Sequence, residues 1–399
     1  MEDDKQILIA GGGIGGLAAA LACSRAGWAV QLVERAAAFG EVGAGIQMGP
    51  NVLRVLQDWG LEQALKQVAA FPDVLRVRSA ANGQESGRLR LGQRALSRYG
   101  APYATIHRAD LHRMLLTAVL QQGSTELHVG QRLASFVDTG SLVQANTDAG
   151  LKMQGQALVG ADGLWSSVRQ QLLNDAAPRV TGHLAYRALI AQADLPAALR
   201  SQEVTAWLGP RLHVVQYPVR GGDYLNVVVI VEGVVNGDVQ DWDHATHARD
   251  LQAAMGSTFA PLQDLIAAIN TWRLWALCDR PPMAGAHEQA KGRVALLGDA
   301  AHPMRPYMAQ GAGMAIEDAA CLQRVLAESG LPMAQRLQHY AQERWQRNAR
   351  VQARSIRNGQ VFHATGLVRW GRDLSMRLLG ERLLDVPWLY QGATGTGKT

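Results

Sequence analysis

The sequence predicts an α/β protein in which a Rossmann-like nucleotide-binding domain is joined to a mainly antiparallel β domain and followed by C-terminal helices. Three observations support this fold class. A glycine-rich turn follows the apolar run 7–10. Apolar and polar residues alternate in stretches of 182–272, as they do in antiparallel strands with one buried face. Beyond Gly313, a helical pattern continues to about Asn358.

The glycine-rich turn is the most informative segment of the chain. It contains Gly11, Gly13, Gly15 and Gly16, between a predicted strand and an Ala-rich helix. The first glycine permits the sharp turn, the second lets a pyrophosphate approach the backbone, and Gly16 lets helix and strand pack closely. A second strand, 31–33, ends at Glu34, where a carboxylate can accept two ribose hydroxyls. The segment predicts an adenine dinucleotide site and does not distinguish FAD from NAD.

The composition argues against several other classes of protein. The chain has 399 residues, 48% of them hydrophobic, and a net charge of +5, which predicts two globular domains. We find no Lys/Arg run with interleaved aromatic residues, so no nucleic-acid partner is expected. Cys23, Cys278 and Cys321 are far apart, so neither a disulfide framework nor a metal site is predicted, and a cytoplasmic location fits. The uncharged stretch 6–24 belongs to the glycine-rich turn, so we expect no membrane span and no signal peptide.

The predicted domains are discontinuous in sequence. The nucleotide-binding domain comprises 1–75, 98–178 and 273–358, the β domain comprises 76–97 and 179–272, and 359–399 forms a C-terminal helical segment and tail. We also expect a hairpin with its turn at 82–83, a glycine-rich loop at 41–47, a helix 111–121 with Asp110 as its N-cap, and a buried strand 293–297 that ends at Gly298.

Three separated motifs stand in order along the chain. The glycine-rich turn with Glu34 comes first, 160–169 (Gly-Ala-Asp-Gly, then Ser-Val-Arg) second, and 298–303 (Gly-Asp-Ala-Ala-His-Pro) third. With these motifs the chain resembles the single-component (group A) flavoprotein aromatic hydroxylases, which include 4-hydroxybenzoate, salicylate, 3-hydroxybenzoate and 6-hydroxynicotinate hydroxylases. The resemblance extends from Lys5 to about Asn358 and implies an FAD-binding domain like that of 4-hydroxybenzoate hydroxylase.

The resemblance implies roles for residues near the flavin. Asp299 hydrogen-bonds the ribityl chain, Arg108 meets the flavin, and Asp162 contributes to binding of FAD and of the nicotinamide cofactor. The helix that begins near Gly311 presents its first N–H groups to the pyrimidine edge of the isoalloxazine, where its dipole stabilises negative charge. The alternatives are a surface arginine, a plain strand–turn and simple helix packing. The expected cofactor-binding residues are Gly11, Gly13, Gly15, Gly16, Glu34, Arg35, Gln47, Arg108, Leu133, Asp162, Asp299, Gly311 and Ala312.

The resemblance also implies the reaction. NADH or NADPH reduces FAD, O2 then gives a C4a-hydroperoxide, and its distal oxygen attacks an electron-rich ring. The expected substrate is a small phenolic or hydroxy-heteroaromatic carboxylate, which a nearby base activates by withdrawing the phenolic proton. Two alternatives stay open: a flavin-dependent oxidoreductase of the same fold without oxygen transfer, and a non-catalytic FAD-binding protein. We expect a monomer or a homodimer.

Two residues form the candidate catalytic and substrate-binding pair. His213 and Tyr217 are four apart in an apolar segment, so both face the same side of a strand. Hydroxylases of the 3-hydroxybenzoate and 6-hydroxynicotinate type carry a His and a Tyr at matching positions; the alternative is a buried pair satisfied by backbone. Arg305 and Tyr307 fall in the family loop that lines the substrate pocket, where Arg305 either binds a carboxylate or points to water. Gln47 stands where 6-hydroxynicotinate relatives carry a His proposed as a base, which argues against that substrate.

The C-terminal segment 392–399 matches the P-loop pattern of nucleoside triphosphatases. A P-loop requires a strand before it and a helix after it, and neither is predicted here. We therefore expect no ATP binding and interpret the segment as an added or disordered tail.

Overall fold

The computed structural model describes residues 5–40, 44–234 and 244–392, and its strands form four sheets. In chain order the strands are β1 (Gln6–Ala10), β2 (Ala29–Glu34), β3 (Gly45–Met48), β4 (Val74–Ser79), β5 (Glu85–Arg90), β6 (Ala104–His107), β7 (Thr125–Val129), β8 (Leu133–Asp138), β9 (Val143–Thr147), β10 (Lys152–Gly155), β11 (Ala157–Gly160), β12 (Arg179–Ala191), β13 (Val204–Gly209), β14 (Leu212–Val219), β15 (Tyr224–Glu232), β16 (His244–Thr246), β17 (Trp272–Asp279), β18 (Ala290–Lys291) and β19 (Val294–Leu296).

The helices stand mainly between the strands and after the last of them. They are α1 (Ile14–Arg25), α2 (Pro50–Asp58), α3 (Glu62–Val68), α4 (Gly92–Tyr99), α5 (Arg108–Gln122), α6 (Ser167–Leu173), α7 (Ala248–Met255), α8 (Ala260–Ala267), α9 (Gly311–Ala327), α10 (Met333–Phe362), α11 (Gly366–Leu379), α12 (Glu381–Leu384) and α13 (Pro387–Tyr390). Within the described ranges, no helix is both long enough and apolar enough to span a bilayer.

Contacts between Cα atoms divide the chain into two compact units. Unit 1 comprises Met1–Val42, Ala109–Arg179 and Asp279–Ser355, and unit 2 comprises Gly43–Arg108, Val180–Cys278 and Ile356–Thr399. The segments 43–75 and 98–108, which the sequence assigns to the nucleotide-binding domain, therefore fall in unit 2 by their contacts. A contact unit is not the same object as a functional domain, so the predicted domain limits stay a prediction.

Unit 1 is built around a six-stranded sheet with the order β18-β19-β11-β1-β2-β7. The pairs from β19 to β7 are parallel, and the edge pair β18–β19 is antiparallel. Strands β1, β11 and β19 are almost wholly buried, as expected for parallel strands covered on both faces. The Ala-rich α1 packs against α9. A small antiparallel sheet, β10-β9-β8, completes the unit.

Unit 2 is built around an eight-stranded sheet with the order β16-β17-β12-β15-β14-β13-β4-β5. The sheet is mainly antiparallel, and the pair β4–β13 is parallel. Helices α7 and α8 cover one face, where Leu251 and Ile266 join the apolar core. Strands β4 and β5 form the predicted hairpin, and Gly83 in its turn has a φ of +73°. Strands β3 and β6 pair separately as a two-stranded sheet.

Three local predictions are wrong. Helix α5 begins at Arg108, directly after β6, so Asp110 lies in its first turn instead of capping it; a carboxylate there is stabilised by the positive end of the helix. The predicted loop 41–47 contains strand β3, because its backbone pairs with β6, and 41–43 lie outside the described residues. Helix α10 continues past Asn358 to Phe362. Most of the P-loop-like tail, 393–399, also lies outside the described residues.

Candidate active site

The glycine-rich turn of unit 1 leaves no room for a side chain at two positions. Gly11 has a φ of +103°, and a Cβ there would overlap the backbone that follows β11. A Cβ on Gly16 would overlap the carbonyl oxygen of Gly11. Gly13 is the extended N-cap of α1, and a Cβ on Gly15 would lie 3.0 Å from Leu297 Cδ2. The turn therefore presents bare backbone and the first N–H groups of α1, which suits a pyrophosphate.

Glu34 is oriented by the same turn. Its Oε2 accepts a hydrogen bond of 2.6 Å from the Gly12 N–H, and its Oε1 accepts one of 2.8 Å from the Ala36 N–H. The ring of His112 in α5 contacts the Gly12 carbonyl oxygen at 2.8 Å. Arg35, next to Glu34, is exposed. Each carboxylate oxygen keeps a further lone pair, so Glu34 is held in place and still able to accept ribose hydroxyls.

Asp162 and Leu133 have structural roles in unit 1. Asp162 Oδ2 accepts hydrogen bonds from the N–H groups of Ser167 at 2.8 Å and Val168 at 3.2 Å, at the start of α6. The Ser166 hydroxyl donates to its other oxygen. Leu133 is 4% exposed and packs in the core beneath the small sheet. Their predicted contacts with a cofactor stay predictions.

Asp299 lies in a 3-10 turn, Gly298–Ala300, directly after β19, and it is exposed. A buried carboxylate supports this turn: Asp318 Oδ2 accepts hydrogen bonds from the Gly298 N–H at 3.2 Å and from His302 Nε2 at 2.5 Å. Arg344 Nε donates to Asp318 Oδ1 at 2.7 Å. Burial alone would raise the pKa of Asp318, but His302 and Arg344 outweigh it and hold that pKa well below its usual range. The network fixes the backbone that presents Asp299.

Helix α9 begins beside Asp299. Its first residues are Gly311 and Ala312, and Gln310 is its N-cap. A Cβ placed on Gly311 would meet only Asp299 Oδ1, at 3.9 Å, so a flat ring can approach the backbone. The first N–H groups of a helix have no intrahelical acceptor and lie at its positive end. The glycine-rich turn, the exposed Asp299 and the open start of α9 are therefore the donor and acceptor set that a flavin dinucleotide needs.

Arg305 has a partner within unit 1 that the sequence did not suggest. Its Nε donates a hydrogen bond of 2.7 Å to Asp279 Oδ2, and its side chain is 16% exposed. The alternative in which Arg305 points to water is therefore wrong, and its carboxylate-binding role stays a prediction. Tyr307, in the 3-10 turn Pro306–Met308, is 5% exposed.

In unit 2, His213 and Tyr217 lie on one face of the large sheet. Both belong to β14, where His213 pairs with Ile230 and Tyr217 with Asn226 of β15. The alternate residue Val214 belongs to the core beneath α7 and α8, so the pair faces the other way. The predicted common face is confirmed. Four residues along a strand separate the two Cα atoms by roughly 13 Å.

His213 belongs to a cluster of histidines and is 2% exposed. Its Nδ1 lies 2.8 Å from His363 Nε2, so one ring donates a hydrogen bond and the other accepts it. His363 also stacks on His183, with ring centroids 4.7 Å apart. Burial first, and then the proximity of His363 and His183, lowers the pKa of His213 well below its usual value. His213 is therefore a neutral imidazole at neutral pH.

Tyr217 is 4% exposed and contacts strand β3. A Cβ on Gly45 would lie 2.5 Å from Tyr217 Cε2, so the glycine makes room for the phenol ring. The Gly45 N–H donates a hydrogen bond of 2.6 Å to Asn226 Oδ1, which holds β3 against this face. Burial raises the pKa of Tyr217, and the charge of Arg187 only partly opposes the shift. The phenol is therefore protonated and able to donate a hydrogen bond.

Gln47 and Arg108 lie on or next to the β3–β6 sheet. Gln47 Oε1 accepts a hydrogen bond of 2.8 Å from the Tyr103 hydroxyl. The Arg108 N–H donates to the Ala44 carbonyl at 3.1 Å as the chain enters α5. The predicted contacts of both residues with FAD stay predictions, as does the absence of a metal: His183, Glu232 and His363 bring ligand atoms within 4.8 Å of one another.

Comparison with known proteins decides the family. The family profile described as FAD binding domain matches residues 4–355. The chain is 38% identical over 390 residues to 3-hydroxybenzoate 6-hydroxylase of Polaromonas naphthalenivorans, which covers 97% of this chain and 96% of the relative. The chain belongs to the FAD-dependent aromatic hydroxylases.

Other relatives of this hydroxylase agree with that assignment. It is 36% identical over 358 residues to 6-hydroxynicotinate 3-monooxygenase of Bordetella bronchiseptica, covering 88% of this chain and 91% of the relative. A solved salicylate hydroxylase substrate complex is 25% identical with a TM-score of 0.82, covering 98% of this chain and 96% of that chain. Klebsiella pneumoniae HpxO, complexed with FAD and uric acid, shares the fold with a TM-score of 0.84 at 24% identity, over 95% of this chain and 94% of that chain.

These comparisons confirm three of the predictions made from sequence. The hydroxylase has an α/β fold with an FAD-binding domain, it is a flavoprotein aromatic monooxygenase, and its cofactors are FAD and NADH or NADPH. The two alternatives, an oxidoreductase without oxygen transfer and a non-catalytic FAD-binding protein, find no support among these relatives.

Sequence reasoning missed the residues that support the candidate site from a distance. His363 lies 150 residues from its partner His213, and no motif connects the two. Asp318 and Arg344 stand on successive helices, so their spacing carries no local signal, although His302 ends a motif that hinted at a buried role. Arg187 was missed because one arginine in an alternating strand looks like a solvent-facing residue.

Proposed function

We propose that this hydroxylase adds oxygen to a small aromatic carboxylate bearing a phenolic or heteroaromatic hydroxyl, with 3-hydroxybenzoate as the reference substrate. NAD(P)H and O2 are its co-substrates. The observation that carries the proposal is the pair His213 and Tyr217, a neutral imidazole and a neutral phenol on one sheet face. Curated relatives that act on 3-hydroxybenzoate and 6-hydroxynicotinate support the substrate class.

In unit 1, the chain binds and orients the cofactor. Bound FAD supplies the redox chemistry, accepting hydride from the nicotinamide and activating O2. The glycine-rich turn receives the pyrophosphate, Glu34 accepts ribose hydroxyls, and Asp299 accepts a hydroxyl of the ribityl chain. The N–H groups at the start of α9 stabilise negative charge on the ring. Arg35, Leu133 and Asp162 complete the proposed contacts in this unit.

In unit 2, the chain binds the substrate ring and manages its proton. The roughly 13 Å between the Cα atoms of His213 and Tyr217 leaves room for one aromatic ring between their side chains. His213 accepts the phenolic proton, since a phenolate is the stronger electron donor to an oxygen electrophile. The 2.8 Å contact with His363 gives that proton an exit. The Tyr217 hydroxyl positions the ring by donating a hydrogen bond.

Gln47 bears on the choice among aromatic acids. Its amide oxygen is engaged by the Tyr103 hydroxyl, and an amide does not titrate, so it takes no proton from a substrate. We therefore rank 6-hydroxynicotinate below 3-hydroxybenzoate and salicylate, while Arg108 and Gln47 remain proposed contacts of the flavin.

The test of the proposed function is substrate-dependent oxygen transfer. FAD-loaded protein is mixed with NADH or NADPH and a panel of hydroxylated benzoates and pyridine carboxylates, and products are identified by mass spectrometry with 18O2. The expected result is accelerated NAD(P)H oxidation and one 18O atom in the product of at least one acid. NAD(P)H oxidation that yields only hydrogen peroxide with every acid would contradict the proposal.

The proposed assembly is a cytoplasmic homodimer formed through helix α11. Its outer face is apolar and exposed: Leu367 is 91%, Trp370 75% and Leu378 74% exposed. The stripe also includes Val368, Leu374 and Leu379. Together these six side chains offer on the order of 800 Å² of apolar surface, which exceeds the largest patch of an ordinary monomer and equals one side of a standard interface. A second copy of the chain, related by a two-fold axis, offers the same face in return.

A further inference from the structure

Arg187 stands on the same sheet face as the candidate catalytic pair. Strand β12 pairs Arg187 with Val228 of β15, and Val228 pairs with Val215 of β14. Val215 lies midway between His213 and Tyr217, so all three side chains share one face by the alternation of strands. The opposite face at this point belongs to the core of Tyr186 and Val229. Arg187 therefore flanks the middle of the gap between His213 and Tyr217.

The guanidinium of Arg187 carries an uncompensated charge in this position. Its Nε is buried and has no acceptor among the described residues. Its Cζ lies 4.7 Å from the centroid of the Trp275 ring, which covers one side of the group. Burial lowers the pKa of Arg187 to about 10, the nearby cation Arg108 lowers it further, and the only opposing neighbour is Tyr217. No carboxylate contributes to that balance.

A buried cation without an anion is costly to a folded protein. Other arginines of unit 2 show the usual solutions: Arg76 pairs with Glu203 and Glu85, and Arg78 donates to the Gly83 carbonyl at 3.3 Å. Arg187 has neither solution within the described residues. The missing partner is an anion, and a carboxylate matches the planar fork of a guanidinium.

We propose that Arg187 is the receptor for the carboxylate of the aromatic substrate, holding the ring over Val215 and Val228 with its hydroxyl directed at the His213–Tyr217 pair. The proposal rests on the proposed function and replaces Arg305, which already binds Asp279, as the acid-recognising residue. Trp275 holds the guanidinium plane, so the fork is oriented before the substrate arrives. Neutral phenols then bind without this contact.

The test compares an acid with its neutral isostere. Dissociation constants of 3-hydroxybenzoate and 3-hydroxybenzamide are measured by titration calorimetry on FAD-loaded wild type, Arg187→Leu and Arg187→Lys, with Arg78→Leu as the matched control. Arg78 is the control because its Cζ also lies over a tryptophan of the same sheet, 5.6 Å from the Trp207 centroid. The same pairs of ligands are assayed for KM and kcat.

We expect wild type and Arg78→Leu to prefer the acid by about 10- to 100-fold, the range for a hydrogen-bonded charged group. In Arg187→Leu the preference falls to about 1 while the amide binds as in wild type, and Arg187→Lys is intermediate because it keeps the charge and loses the fork. The loss appears in KM for the acid more than in kcat.

Three results overturn the proposal: an acid preference that survives in Arg187→Leu, an equal loss of acid and amide binding, or no acid preference in wild type. If Arg187→Leu does not fold, Arg187→Gln, which keeps the hydrogen-bonding shape without the charge, makes the same comparison. Failure of the proposed function looks different, because wild type then hydroxylates no aromatic acid whatever the Arg187 variants bind.

Discussion

His213 and Tyr217 illustrate what single residues reveal about this hydroxylase. Their spacing of four in an apolar strand was visible in the sequence, and the sheet register confirms that they share a face. Their chemistry was not visible, because it depends on burial and on neighbours distant in sequence. Burial keeps the phenol protonated, and burial among histidines keeps the imidazole neutral. The two residues are therefore assigned different tasks, proton acceptance by His213 and orientation by Tyr217.

The first prediction separates these tasks. His213→Ala removes the proton acceptor and should lower kcat for a phenolic acid by about 10²–10⁴-fold, the usual range for general acid–base catalysis. Tyr217→Phe keeps the ring and removes one hydrogen bond, so it should affect KM at least as much as kcat. Flavin absorbance per chain should equal that of wild type in both variants, which rules out loss of FAD as the cause. Unchanged turnover in the double variant would remove the pair from the mechanism.

The second prediction concerns pH. The folded-state pKa of His213 lies well below that of an unfolded histidine, about 6.5. Below that unfolded value the unfolded chain binds a proton that the folded chain refuses, so the stability contributed by neutral His213 is present above about pH 6.5 and is lost as the pH falls towards the folded pKa. Urea midpoints measured from pH 7.5 to 5 should therefore decrease more steeply for wild type than for His213→Asn. Parallel pH profiles for the two proteins would contradict the assigned neutral state.

At the scale of elements, the turn after β19 depends on a carboxylate that the sequence motif does not contain. Asp318, in α9, is fully buried and joins the Gly298 backbone, His302 and Arg344 in one hydrogen-bonded network. The motif residue Asp299 is exposed, and its position follows from this support. The Gly-Asp-Ala-Ala-His-Pro motif is thus half surface chemistry and half internal support.

The third prediction tests that support. Asp318→Asn leaves Arg344 buried without its full counter-charge, so the free energy of unfolding should fall by about 3–5 kcal/mol, the usual cost of breaking a buried ion pair. Guanidinium chloride unfolding measures the loss. Glu343→Gln is the control, because its ion pair with Arg324 is about half exposed and should be worth about 1 kcal/mol or less. Equal effects of the two substitutions would show that the Asp318 network does not stabilise the turn.

Elements that announce themselves locally were predicted well, and those set by distant pairing were not. The first βαβ unit follows from a turn that no other residue type fits, and the hairpin β4–β5 from its Asn-Gly turn. Strand β3 was taken for a loop because its glycine obscured the strand pattern, and only pairing with β6 makes it a strand. Helix α5 starts three residues before its expected first residue because β6 leads straight into it.

At the scale of the whole molecule, the sequence was sufficient for the fold class and the enzyme class, because three motifs in order are specific to the family. It was insufficient for the substrate-side residues. Arg187, His183 and His363 lie on three different elements of unit 2, and only the sheet register and the end of α10 relate them to His213. The pairing of strands far apart in sequence leaves no periodic trace in any one of them.

The outer face of α11 is the largest feature of the molecule that the proposed reaction does not use. Leu367, Trp370, Leu374 and Leu378 follow the spacing of one helix face. Gly371 lies among them, and a Cβ there would meet no atom within 4 Å. Such a face is costly to leave in water, and the small residue at its centre lets a second helix approach closely. Both features fit packing of α11 against α11 of a second copy.

The fourth prediction follows from that face. Sedimentation equilibrium should give the FAD-loaded protein a mass twice that of the chain, and the double substitution Trp370→Glu with Leu378→Glu should give the mass of one chain, because two charges in the interface centre repel their symmetry mates. Leu120→Glu is the matched control: Leu120 is 60% exposed on α5, outside this face, and its substitution should leave the dimer intact. Hydroxylation per FAD should persist in the double variant, since His213, Tyr217 and Arg187 all come from one chain. A wild-type mass of one chain at micromolar concentration would refute the dimer and leave the hydroxylase assignment untouched.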